Sequence, residues 1–198
     1  MNDTLSTIEK RRSIRSFTEQ PVSEKDLTAI LEAANQAPSA HNQQSWRFVV
    51  VKGDKKAELA ALVSSRAGDF PKASSALLRM AARSIKSASV VVAVVNTGEL
   101  INHGTGLFKL NADQSLDFFR TMEIQSSAAA VQNMLLAATS LGLSTVWLGV
   151  LFLIKDEVIE FFGEPEGEFM AVIPVGYAAK ESQGPGKRPL AMQVRVLE

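Results

Sequence analysis

IQSSAAAVQNMLLAATSLGLSTVWLGVLFLI, residues 124–154, runs for 31 positions without one charged side chain. Its length alone would suit a membrane span. Its detail argues otherwise. Gln125, Ser126, Ser127, Gln132, Asn133, Thr139 and Ser140 are scattered through it, and Gly142 interrupts it. A buried helix ending near residue 141, with Gly142 as its C-terminal cap, followed by a buried strand Ser144–Gly149, accounts for the pattern. A helix this long and uncharged in a chain of 198 residues needs cover beyond its own sheet, which points to a dimer.

Outward from that stretch, helices and strands intermix without strict alternation. Towards the N-terminus the pattern gives a helix over 113–141, a Gly- and Asn-containing loop over 97–112, and a β-branched buried strand from Ala88 to Val95. Helices are expected at 72–87 and 54–65, and a strand at Arg47–Val51 closed by Gly53. Ser23 with Asp26 resembles a capping box, after which Leu27, Ile30, Leu31 and Ala34 repeat at helical spacing until Pro38. Residues 3–12 form a first helix. Beyond residue 154, Lys155–Phe162 reads as a helix stopped by Gly163 and Glu168–Ala178 as a strand. A Gly/Pro-rich basic tail from Ser182 leads to a last extended stretch, Met192–Leu197. The expectation is a single α+β domain over 1–198, with long helices layered on a sheet.

Composition removes several chemistries. Lys plus Arg and Asp plus Glu number 21 each, so no global field recruits nucleic acid or an anionic membrane. The absence of cysteine excludes thiolate nucleophiles, disulfides and cysteine-ligated metals. With His41 and His103 the only histidines, no metal site is expected. The N-terminus carries no apolar secretory stretch, and a cytoplasmic location is expected.

Four segments carry polar chemistry. Arg11, Arg12, Ser13 and Arg15 offer three guanidiniums and a hydroxyl, suited to a phosphate; in isolation the run reads first as a solvated helix end. Pro38–Trp46 presents Ser39, Asn42, Gln43 and Gln44, whose amides and hydroxyls match the edge of a planar heterocycle or simply hydrate a connection. Gly149 follows a buried strand, where backbone can approach a ligand or merely turn. Lys187 and Arg188 lie in a Gly/Pro loop that fails the Walker pattern, with Glu181 and Arg188 at positions needing Gly and Ser or Thr. No Gly-x-Ser-x-Gly elbow and no paired carboxylates stand out.

Taken in order, these segments resemble the nitroreductase family over nearly the whole chain. The matching motifs are Arg11 to Arg15 with Ser16-Phe17, Pro38 through Phe48, Gly142 to Gly149, and Pro174 to Tyr177 followed by Lys187-Arg188. Ser45 replaces the usual Pro, and Ser144 the usual Gly. The resemblance implies a central mixed, mostly antiparallel sheet flanked by helices in an intertwined homodimer, with FMN at the subunit interface. It implies that Arg11, Arg12, Ser13 and Arg15 line the phosphate, ribityl and N1/O2 side of FMN, and that Lys187 and Arg188 complete the phosphate site. Pro38, Ser39, Ala40 and Asn42 would cover the ring from the partner, and Leu148 and Gly149 would present backbone near N5. No ring contact is assigned within Gly68–Arg83. The implied reaction is ping-pong transfer from NADH or NADPH through FMN to a nitroaromatic, quinone or related small-molecule acceptor, with no catalytic side chain. The alternatives are a dehalogenating or flavin-fragmenting enzyme of the same fold, or a flavin-binding protein without turnover. The 97–120 segment, with His103, Phe108, Phe118 and Phe119, reads as a candidate lid or a structural loop.

Overall fold

A computed structural model describes residues 2–108, 111–180 and 182–198. In chain order its elements are α1 (Asp3–Lys10), α2 (Glu24–Asn35), β1 (Trp46–Val51), α3 (Gly53–Arg66), α4 (Lys72–Ser87), β2 (Val90–Asn96), α5 (Glu99–Phe108), α6 (Ala112–Ser140), β3 (Ser144–Thr145), α7 (Lys155–Phe162) and β4 (Glu168–Gly176). The strands form one sheet in the order β1-β2-β4-β3. All three pairings are antiparallel. The parallel component is an isolated bridge from Ser13 to Thr145.

β2 reads as unbroken valine and alanine because both of its faces are covered. Val90, Val92 and Val94 pack with Ala171, Ile173 and Val175 beneath α2 and α6. Val91, Ala93 and Val95 face the opposite way into a core with Leu59, Val63, Leu78, Ile85 and Val158 from α3, α4 and α7. The result is a helix–sheet–helix sandwich, its period-2 alternation hidden by double burial.

Local signals explain most of the boundaries. Ser23 caps α2, accepting from the Asp26 amide at 3.0 Å while its hydroxyl donates to Oδ2 of Asp26 at 2.8 Å. α6 ends as the sequence indicates, with Gly142 at φ +75° and the Leu143 amide bonded back to the Ala138 carbonyl at 2.8 Å. Among the described residues no helix is long and apolar enough to cross a membrane. Ala130, Val131, Met134 and Ala138 of α6 are instead fully buried on the sheet.

Two readings are corrected. The segment taken as a loop over 97–112 contains the helix α5; Lys109 and Leu110 within it, like Glu181 before the tail, lie outside the described residues. α5 forms against weak local propensity because Gly104 lets it settle on the ring of Phe119 from α6. The strand expected over Ser144–Gly149 is only two residues long, and a 3-10 turn, Gly149–Ile154, follows it. Among the described residues the tail makes no strand pairing, and residues 182–198 are exposed throughout.

Candidate active site

The basic run is fastened to the sheet edge. The Ile14 amide donates to the Thr145 carbonyl at 2.9 Å, and Ser13 pairs with Thr145. Buried Ile14 and Phe17 anchor the run, leaving Arg15 exposed between them and Arg11 and Arg12 half-buried. Ser84 of α4 donates its hydroxyl to the Arg15 carbonyl at 3.0 Å, fixing the run from a second side. Three residues beyond Thr145, the Leu148 amide bonds the Val172 carbonyl at 2.9 Å, and the chain then exposes Gly149. A Cβ added at Gly149 would touch nothing within 4 Å. The space beside that backbone is open, as a ligand lying flat against it requires.

The tail meets the run. Nε of Arg12 donates to the Gln183 carbonyl, and a Cβ at Gly184 would come within 3.0 Å of Cδ of Arg12. Arg12 also bonds the carbonyls of Glu9 and Arg11, so its guanidinium straps main chain to main chain. Lys187 and Arg188 follow a few residues on, both exposed. Among the described residues, none of Arg11, Arg12, Arg15, Lys187 and Arg188 is ion-paired. Three of the four segments singled out in the sequence therefore lie along one edge of the molecule. Their unpaired cations and open backbone fit a group with an anionic end and a flat ring.

The fourth segment stands apart. No hydrogen bond of Pro38–Trp46 reaches the other three among the described residues. Its contacts go to itself, to α2 and α6, and to the end of β2. The Ala40 amide donates to the Ser126 hydroxyl at 3.1 Å, the Gln44 amide to the Ser39 hydroxyl at 3.0 Å, and the Asn42 amide to the Ser39 carbonyl at 3.0 Å. His41, Asn42 and Gln44 all take left-handed backbone, at φ 53°, 52° and 51°, and are the only non-glycine residues described that do so. Such strain persists where surroundings over-determine it, and it concentrates at ligand-binding loops. Pro38 and Asn42 are exposed, Ser39 and Ala40 half-buried.

α5 adjoins this loop. The His41 ring lies edge-on to His103 of α5 at 5.8 Å and to Phe108 at 5.6 Å, and Phe108 continues to Phe119 at 5.4 Å. Ser84, Ser126 and Ser127 are the supporting residues that sequence reasoning missed. In the sequence the latter two read only as polar interruptions of the uncharged stretch, and serine alone signals no such role. Beside the run, a cavity of about 630 Å³ is lined by Phe17, Thr18, Lys56, Arg83 and Lys86. Lys56 reaches the Ala88 carbonyl there, and burial lowers its pKa.

Comparison with known proteins shows the family. The model of the nitroreductase family matches residues 8–177. The chain belongs to that family. A protein of Archaeoglobus fulgidus, whose name pairs NADH dehydrogenase with NAD(P)H nitroreductase, is 30% identical over 187 residues, covering 91% of this chain and 88% of its own. The FMN reductase [NAD(P)H] of Bacillus subtilis is 28% identical over 197 residues, covering 99% and 73%. A solved protein of Desulfovibrio desulfuricans in complex with FMN superposes with a TM-score of 0.75 at 28% identity, over 100% of this chain and 98% of that one.

Proposed function

We propose that the chain is an FMN-dependent NAD(P)H oxidoreductase acting on nitroaromatics, quinones or related acceptors. The observation that carries this reading is the edge where the Arg11–Arg15 run, Gly149 and the tail converge, its cations without an ion pair among the described residues. When bound, FMN supplies two-electron chemistry, taking a hydride equivalent from NADH or NADPH and passing it to the acceptor.

The chain's own residues bind, orient and exclude water. Arg11, Lys187 and Arg188 neutralise the phosphate, with Ser13 as a hydroxyl donor. Arg15 sets positive charge beside the pyrimidine edge of the ring, where electron density rises on reduction. Arg12 holds the tail against the run so that the two cationic segments act together. Leu148 and Gly149 offer backbone without side-chain obstruction. No side-chain nucleophile takes part.

Pro38, Ser39, Ala40 and Asn42 cover the ring of a second copy, which accounts for their separation from the run within one chain. A homodimer is supported by surface area. The chain exposes 11,749 Å², whereas a compact monomer of this mass exposes about 9,100 Å². Two copies each burying that excess of about 2,600 Å² would together remove about 5,200 Å², at the upper end of obligate interfaces. Leu190, Met192, Val194, Val196 and Leu197 of the tail are all more than half exposed and supply apolar area for it. Titration of the purified protein with FMN, followed by NAD(P)H oxidation with a quinone and a nitroaromatic, tests the reading. Flavin binding and turnover are expected; a protein that takes up no FMN refutes it.

A further inference from the structure

The last charge before the uncharged stretch is Glu123, and it is buried. On α6 it is 1% exposed. Its Oε1 accepts the Leu100 amide at 2.8 Å, and the amides of Gly98 and Ile101 face the same carboxylate. These are N–H groups around the start of α5, where a helix leaves donors unused. The Thr97 hydroxyl accepts the Glu99 amide at 3.5 Å, while the Thr97 amide donates to the Ser45 carbonyl at 3.2 Å. Glu123, 23 residues away along the chain, is therefore the cap of α5, and its charge complements the helix dipole.

Among the described residues Oε2 of Glu123 has no hydrogen-bond partner, nor does the hydroxyl of Ser45 or Nδ2 of Asn96, although all three are buried. The Ser45 hydroxyl faces the carboxylate without closing a bond of ordinary geometry. Three and four residues along α6, Ser126 accepts the Ala40 amide at 3.1 Å and Ser127 donates to Oδ1 of Asn96 at 2.5 Å. One turn of α6 thus touches both ends of the 38–45 loop, the end of β2 and the start of α5. A helix start needs no buried carboxylate: a local Ser, Thr or Asp caps it at less desolvation cost. What a distant Glu adds is a link between α5 and the loop.

We infer that Glu123 is the positioning residue of the active-site cover, locking α5 and the 38–45 loop into one unit that sets access for the acceptor. The access role rests on the proposed function; the mechanical coupling does not. Two consequences distinguish this unit from a helix cap. The amides of Gly98–Ile101 and those of Ala40–Ser45 loosen together when the link is cut, and the acceptor KM changes more than FMN affinity does.

Hydrogen exchange on the FMN-free protein tests the coupling. In Glu123→Ala, both amide groups exchange faster by about tenfold or more, the equilibrium weight of one charge-assisted hydrogen bond, while β2 and β4 keep their protection. Glu123→Gln, which retains an acceptor for Leu100, restores most of that protection. In the FMN-loaded enzyme, Glu123→Ala shifts the quinone KM by about fivefold or more at nearly unchanged kcat, as expected for altered access rather than altered chemistry. Faster exchange at 98–101 alone overturns the proposal, as does unchanged exchange at both. Sheet amides that loosen equally in Glu123→Gln overturn it too. A variant set that binds no FMN would sink the functional reading and leave the exchange result to decide the coupling.

Discussion

Replacing Gly104 by alanine sets two opposed effects against each other at the cover. Inside a helix, alanine is favoured over glycine by about 1 kcal/mol. At this position, however, the added Cβ would lie 2.2 Å from Cε1 and Cζ of Phe119 and 2.4 Å from Cδ1. Carbon pairs rest at about 3.5–4.0 Å, so helix and ring must part by about 1.5 Å. The ring has nowhere to turn. Phe119 is fully buried, with Phe108 at 5.4 Å and Phe118 at 5.0 Å. Overpacking of this kind costs about 1–3 kcal/mol. Shifting α5 also stretches the 2.8 Å bond from the Leu100 amide to Glu123, a contact of the class worth about 1.5–3 kcal/mol when intact. The balance is a net loss of about 1–3 kcal/mol, or a fall in Tm of about 3–10 °C for a chain of this size. Thermal and urea unfolding of Gly104→Ala measure it, with the quinone KM as a second readout. A variant more stable than the wild type by about 1 kcal/mol, the propensity gain alone, would refute the packing of α5 on α6.

Glu123 supplies a pH test. Burial raises its pKa against the pull of the Leu100, Gly98 and Ile101 amides and the Ser45 hydroxyl, none of which titrates in the range concerned. A raised acid pKa favours the folded state while the group is protonated, and that contribution is lost as pH rises from about 4.3, the ordinary Glu value, through the folded value. Unfolding free energy of the wild type minus that of Glu123→Gln is thus expected to fall with rising pH across this window; a flat or rising difference contradicts it. Ser126→Ala removes the acceptor of the Ala40 amide and is expected to cost about 1–3 kcal/mol and weaken FMN binding. Unchanged values in urea unfolding and FMN titration would detach Ser126 from the loop. Arg11→Ala with Lys187→Ala should weaken FMN binding by about tenfold or more per charge removed while leaving Tm in place. Wild-type affinity would mean that the phosphate site lies elsewhere.

The elements written in local sequence were legible and those written by distant residues were not. The capped start of α2, the doubly covered β2 and the glycine stop of α6 follow from residues within a few positions of the feature. α5 is different. Its sequence, with Asn102, Gly104 and Gly106, argues for a loop, and it becomes a helix because Glu123 and Phe119 complete it from α6. β3 is only two residues long although the Leu148 amide still bonds the Val172 carbonyl in its register; the chain turns into the 3-10 segment at Gly149, which alternation does not signal. That the Arg11–Arg15 run and the tail approach one another is an expectation from chemistry, and Arg12 does reach Gln183. The means, Arg12 gripping the tail's main chain, was not legible. Nor were the left-handed His41 and Gln44, since histidine takes a positive φ only in a small minority of cases and glutamine has no such preference.

The most direct test of the central claim is anaerobic titration of the FMN-reconstituted protein with NADH and with NADPH, followed through the yellow absorbance of bound oxidised flavin. Bleaching by at least one nicotinamide, reversed on adding a quinone, is the predicted result. A protein that retains no flavin, or whose bound flavin keeps its colour with both donors, would contradict it.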